Sequence, residues 1–278
     1  MKKLHLQAPL PFVGQKRMFA RRLIEILRQY PDGATYVDLF GGSGLLSHIT
    51  KHQKPQATVI YNDYDHYTRR ISHIPQTNRL LEQIRRLTSS IPRHKSIPQE
   101  TKGNIIRLIR QEEQQSGYVD YITLSSSLLF SMKYATSLDS LRKETLYNNV
   151  RTTPYDLCHD YLDGLTVTHL DYRKLFNQYR DTPNVVFLID PPYLSTEVGT
   201  YTMSWDLADY LDVLQTLVGT NYIYFTSNKS SIIELCEWMG RHPSIGNPFE
   251  GSRRIDFNAH MNYNSGYTDI MLYRAPCG

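Results

Sequence analysis

Apolar and polar positions alternate along this chain in two rhythms. Short apolar runs at 35–40, 58–62, 165–170, 185–189 and 221–226 read as strands. Between them apolar residues recur at helical spacing. Met18, Phe19, Leu23, Ile26 and Leu27 would share one face of a helix ending near Tyr30. Further helices are predicted from the glycines at 41–44 to about Lys51, and over 205–219 and 229–239. Strand–helix alternation of this kind predicts an α/β fold. The tail departs from it. Runs near 253–258 and 267–274 flank a polar turn with no helix between them, which predicts an antiparallel hairpin at a sheet edge. Residues 1–10 read as an extended lead-in.

Between the second and third runs the rhythm is lost. Helical patterns dominate at about 76–91, 98–115 and 118–136, with another near 154–163, and the stretch 133–155 is loop-like. The predicted organisation is therefore one body, 1–65 with 165–278, carrying an insertion at 66–164. Charge sharpens this picture. Residues 66–152 hold 14 Lys and Arg against 7 Asp and Glu, a local excess of +7, which leaves −3 on the rest of a +4 chain. Such asymmetry suggests an insertion facing a polyanion, with a solvated helical face as the alternative. Lys133, Arg142, Lys143, Tyr147, Asn148, Asn149 and Arg151 supply the amides, hydroxyls and cations that read base edges and hold phosphates.

Composition excludes some classes. At 278 residues the chain can bury a full core, and it has no apolar run of membrane-spanning length and no signal-like N-terminus. Cys158, Cys236 and Cys277 are odd in number and widely spaced, which predicts a reducing compartment and no metal site. Tyrosine is frequent, 21 against 9 Phe and 2 Trp, which suits stacking on bases as well as half-exposed strands.

The candidate chemistry lies at strand ends. Asp190-Pro191-Pro192-Tyr193 closes the 185–189 run. The prolines stop the strand, and a carboxylate, a main-chain oxygen and an aromatic ring would converge there. That set suits a planar ligand bearing an amino group, which the oxygens accept and the ring stacks upon. The run at 35–40 ends in Asp38, Phe40 and a turn with Gly42 and Gly44. A glycine turn entering a helix lets the backbone approach a ligand closely. The acid there would repel a pyrophosphate and attract a cationic amine. Asp63 lies 19 residues past Gly44, the spacing at which a second-strand acid grips ribose hydroxyls. Phe12, Gly14 and Lys16 precede the first helix, and Lys16 is either solvated or placed to meet an anion. The 194–203 loop would serve as a lid or as a plain connector, and Ser227-Asn228 faces the same rim or caps the next helix.

Together these stretches resemble the Dam-type, D12-class DNA adenine-N6 methyltransferases. The resemblance rests on Phe12-Val13-Gly14-Gln15-Lys16, Asp38-Leu39-Phe40-Gly41-Gly42-Ser43-Gly44, Asp63, Asp171-Tyr172, Asp190-Pro191-Pro192-Tyr193, Phe225-Thr226-Ser227-Asn228 and Tyr267-Thr268-Asp269-Ile270-Met271-Leu272-Tyr273. It spans nearly the whole chain, more loosely in the insertion. Gln15 stands where the family has a small residue, and the recognition segment Tyr147-Asn148-Asn149-Val150-Arg151 differs from that of members that read GATC.

The resemblance implies a Rossmann-like methyltransferase sheet with a C-terminal β-hairpin and a helical DNA-recognition insertion. It implies S-adenosylmethionine as cofactor, held by Phe12, Gly14, Lys16, Asp38, Phe40, Gly42, Gly44, Asp63, Asp171, Tyr172 and Asp190. Asp190, Pro191, Pro192 and Tyr193 would act on an adenine flipped out of duplex DNA. A cognate restriction endonuclease is an implied partner, a monomer or weak dimer the implied state, and the bacterial cytosol or a phage genome the implied setting. Rival readings keep the chemistry but methylate RNA adenine, cytosine N4 or a protein amide. Others make the chain a non-catalytic DNA-binding module or a nicotinamide-dependent oxidoreductase, the last lacking the right glycine spacing.

Overall fold

A computed structural model describes residues 3–130, 133–192, 207–242, 244–262 and 265–274, with backbone alone at 259–262 and 265. Tyr193, the 194–203 loop and Cys277 lie outside the described residues. The strands are β1 (Thr35–Asp38), β2 (Thr58–Asn62), β3 (Thr166–Thr168), β4 (Val185–Ile189), β5 (Asn221–Ser227), β6 (Arg253–Asn262) and β7 (Ser265–Arg274). The helices are α1 (Ala20–Leu27), α2 (Leu45–Gln53), α3 (Tyr67–Ser72), α4 (Ile74–Leu87), α5 (Gln99–Ser116), α6 (Tyr121–Leu128), α7 (Leu138–Lys143), α8 (Tyr172–Tyr179), α9 (Leu207–Leu217) and α10 (Ile232–Gly240). A short 3-10 turn, Arg17–Phe19, leads into α1.

The chain divides into two compact units. The first comprises Met1–Gln7, Gly14–Tyr67 and Asp160–Gly278, and the second Ala8–Val13 with Thr68–His159. The first is built on a seven-stranded sheet of order β3-β2-β1-β4-β5-β7-β6. From β3 to β5 every neighbouring pair is parallel, and β7 runs antiparallel to both β5 and β6. Alternation along β4 explains why the sheet is covered on both faces. Val185, Phe187 and Ile189 enter one core with Tyr172, Phe176, Val213 and Leu217. Val186 and Leu188 enter the other, with Phe19, Leu23, Leu27, Leu45 and Ile49. A five-residue strand buried on both faces reads as the continuous apolar run that the sequence contains.

The second unit carries α4 to α7 and contains a buried ion pair. Arg70 Nε donates to Asp120 Oδ2 at 3.1 Å, and both residues are buried. Its Nη2 donates to Thr123 Oγ1 at 3.1 Å and to the Pro11 carbonyl at 2.7 Å. Asp120 Oδ1 in turn accepts from the Thr123 N–H at 3.0 Å, capping α6. One arginine thus ties Ala8–Val13 into this unit, a connection between distant segments that local periodicity does not reveal.

Three expectations need correction. No helix forms at 154–163, where the backbone is irregular and then turned. Cys158 there has φ 46°, and Gly164 beyond it has φ 78°, both left-handed and incompatible with a continuing right-handed helix. The helix expected over 118–136 is α6, ending at Leu128, and the loop-like 133–155 stretch contains α7, capped by Ser137.

Candidate active site

The strand order fixes where a ligand belongs. Successive connections run from β1 to β2 on one side and from β4 to β5 on the other, so the order reverses between neighbours β1 and β4. In open α/β sheets the crevice outside the carboxyl ends of such a pair is the binding site. Asp38 is the last residue of β1, and Asp190 follows the last residue of β4.

Asp38 is fully buried. Its Oδ2 accepts from Ser47 Oγ at 2.7 Å, while its Oδ1 has no hydrogen-bond partner. Burial, with the neighbouring Asp190 charge adding to it, pushes its pKa up to about 7. A buried, half-satisfied carboxyl is costly unless a donor or cation completes it. Asp190 is paired instead: Lys16 Nζ lies 2.7 Å from its Oδ1 and also donates to the Gly14 carbonyl at 2.8 Å. Burial raises the Asp190 pKa, Lys16 opposes that rise, and Asp269 on β7 adds to it. Asp190 therefore interacts with two further carboxyls, Asp38 and Asp269, and with the one ammonium of Lys16, a balance that favours a cationic ligand over a phosphate.

The glycine turn is held from below. A Cβ at Gly41 would fall 2.4 Å from the Tyr61 ring and 2.7 Å from the Asn62 carbonyl, so only glycine fits there. Gly44 has φ 71° and lies at the N-cap of α2. Tyr61 OH bridges the Gly42 carbonyl at 2.8 Å and Asp63 Oδ1 at 3.0 Å. Asn62 donates to the carbonyls of Leu39 and Leu170 at 3.0 and 2.8 Å, and accepts from the Leu170 N–H at 2.9 Å. Sequence reading missed Tyr61, Asn62 and Ser47. The available signal was a polar residue, Asn62, closing an otherwise apolar strand.

The remaining predicted residues scatter in role. Asp63 is buried, and its Oδ1 also accepts from the Tyr67 N–H at 2.6 Å. Asp171 caps α8 through the Arg173 N–H at 2.9 Å. Tyr172 is buried against Phe40, ring centroids 5.1 Å apart, with its hydroxyl on the Asp209 carbonyl at 3.1 Å. Phe12 belongs to the second unit, apart from Gly14 and Lys16 in the first. Arg142, Lys143 and Arg151 are exposed, and Lys133 pairs with Glu144 at 3.0 Å. Asn148 is a correction. It is buried, and its amide donates to the Ile91 carbonyl at 2.6 Å and the Thr88 carbonyl at 3.4 Å, so it braces the segment and does not face a ligand. Asn149 also bonds inward, donating to the Leu129 carbonyl at 3.1 Å.

The family model described as D12 class N6 adenine-specific DNA methyltransferase matches residues 12–218. A protein of Haemophilus influenzae (strain ATCC 51907 / DSM 11121 / KW20 / Rd), which bears the name of an inferred methyltransferase with no substrate in it, is 39% identical over 281 residues, covering 98% of this chain and 94% of that protein. No helix among the described residues is long and apolar enough to cross a membrane. A match across most of the chain, including both strand-end acids and the glycine turn, places it in one family: the chain belongs to the D12 class N6 adenine-specific DNA methyltransferases.

Proposed function

We propose that the crevice between β1 and β4 binds S-adenosylmethionine beside a flipped adenine, and that Asp190 acts on the adenine amino group. The observation that carries this reading is the placement of Asp38 and Asp190 at the ends of the two strands where the sheet order reverses. The residues fit the donor. Asp38 has a buried oxygen without a partner, and the adjoining glycine turn has no room for a Cβ at Gly41. The cofactor supplies a methyl group on a cationic sulfur. Asp38 would take its ammonium, Asp63 its ribose hydroxyls, and Phe40 and Asp171-Tyr172 the adenine side of the pocket.

The acceptor nitrogen is a poor nucleophile because its lone pair is delocalised into the ring. Hydrogen bonds from its N–H groups to Asp190 and to the Pro191 carbonyl favour the tetrahedral, more reactive form. Positive charge spreads onto the base as the methyl transfers, and the Asp190 carboxylate stabilises it. Lys16 opposes the rise that burial imposes on the Asp190 pKa and so favours the ionised form. Holding both reactants in line contributes heavily, up to about 7–11 kcal/mol in favourable cases. The adenine must leave the duplex, at a cost of a few kcal/mol. The basic helical unit would hold the phosphates, making binding salt-dependent. Modification at a defined sequence, alone or beside a cognate endonuclease, is the role this reading supports.

The test is transfer of labelled methyl from S-adenosylmethionine to DNA, RNA and protein, followed by nucleoside analysis. N6-methyladenine in DNA alone is the expected product. An Asp190→Ala protein that methylates as fast as the parent would remove the assignment.

A further inference from the structure

The second unit contains a rung that the recognition segment alone does not make. Residues 94–97 run antiparallel to 146–148. Ser96 bridges Tyr147, the Ile97 N–H donates to the Leu146 carbonyl at 2.7 Å, and the Asn148 N–H to the Lys95 carbonyl at 2.9 Å. The turn before it, Arg93-His94-Lys95, is exposed and carries a non-glycine residue in left-handed backbone, His94 at φ 64°. Residues held in that region by their surroundings concentrate at functional sites. Arg93 grips the Val150 carbonyl, and Arg85 donates twice to the Arg151 carbonyl, at 3.1 and 3.0 Å.

His94 is oriented as well as exposed. Its Nδ1 lies 2.8 Å from Asn149 Oδ1, while the Asn149 amide nitrogen donates to the Leu129 carbonyl. With Asn149 Oδ1 fixed as acceptor, His94 Nδ1 is the donor. In the neutral tautomer that this bond selects, Nε2 is the acceptor. A phosphate offers only acceptors, so this edge matches an exocyclic amino group of adenine or cytosine in the major groove. The neighbouring Lys95 ammonium matches a phosphate.

We infer that the Arg93-His94-Lys95 turn is a DNA contact, with His94, positioned by Asn149, reading a base amino group and Lys95 holding the backbone. This rests on DNA being the acceptor. The test uses the full chain with a fluorescent mixed-sequence duplex, and with fragmented genomic DNA and labelled methyl donor. Lys95→Ala weakens duplex binding and lowers the salt slope by about 0.9, the contribution of one phosphate. His94→Ala leaves that slope unchanged, raises KM for DNA about fivefold to a hundredfold, and relaxes one position of the modified sequence. Its kcat and donor affinity stay at parental values. Asn149→Ala shifts KM in the same direction, and His94→Gln, which keeps an acceptor, restores part of it. If Lys95→Ala and His94→Ala both match the parent in affinity, slope and modified sequence, the inference is overturned. It is overturned too if His94→Ala lowers kcat and donor affinity instead. A parent that binds donor but methylates no DNA would remove the DNA reading itself.

Discussion

Lys16 Nζ stands 2.7 Å from Asp190 Oδ1, joining the segment before α1 to the end of β4. Both side chains are largely buried, 7% and 18% exposed, so water screens the pair little. Lys16 lowers the Asp190 pKa against the rise that burial imposes. Removing the ammonium therefore raises that pKa further. A Lys16→Met protein should show the acid limb of its methylation pH–rate profile displaced to higher pH. Activity near neutrality should fall about tenfold and recover partly at higher pH. An unmoved acid limb would show that Lys16 does not set the ionisation of Asp190.

Asp38 gives a stability prediction of definite sign. Its folded pKa, about 7, lies above its ordinary carboxyl value. Its contribution to stability is present in full below about pH 4 and is lost as pH rises toward 7. Without donor, the parent should lose thermal stability across that window more steeply than Asp38→Asn. Above pH 7 the variant should unfold at the higher temperature, yet bind S-adenosylmethionine at least about tenfold more weakly. Parallel melting curves across that range would contradict this account.

Tyr61 links the glycine turn to Asp63 through one hydroxyl. In Tyr61→Phe the ring still fills the space beneath Gly41, and the bridge alone is lost. KM for the methyl donor should rise about three- to twentyfold with kcat little changed. Stability should fall by about 1 kcal/mol. A proportional loss in kcat, with KM unmoved, would place Tyr61 outside donor binding.

Asn148 separates bracing from recognition. Its amide holds two carbonyls beneath the 146–150 segment. Asn148→Ala should destabilise the protein by about 1–3 kcal/mol, since buried carbonyls lose their donor. The salt slope of DNA binding should not change. Arg142→Ala should do the reverse, with a shallower slope and unchanged melting. Both are read by thermal unfolding and by anisotropy at several salt concentrations.

Much of the first unit was legible because its demands are local. A buried run ending in Asp-Pro-Pro, or an acid followed by closely spaced glycines, restricts the backbone within a few residues. Both signals point to the strand ends where Asp38 and Asp190 stand. The burial of Asn148 was not legible, because asparagine in a polar stretch looks the same whether it faces solvent or a carbonyl. The attachment of Ala8–Val13 to the second unit runs through Arg70, far along the chain. The expected 154–163 helix failed at Cys158, whose left-handed backbone no residue preference announces.

The reversal between β1 and β4 also sets when competence can arise during synthesis. Asp38 and Lys16 leave the ribosome early, but their neighbour Asp190 follows only after the whole inserted unit has been translated. At about 5–20 residues per second, the nascent chain spends many seconds with its glycine turn made and no opposing strand beside it. A prematurely terminated product ending before β4 would hold Asp38 and the glycine turn but lack both Asp190 and the strand that pairs with β1 on that side.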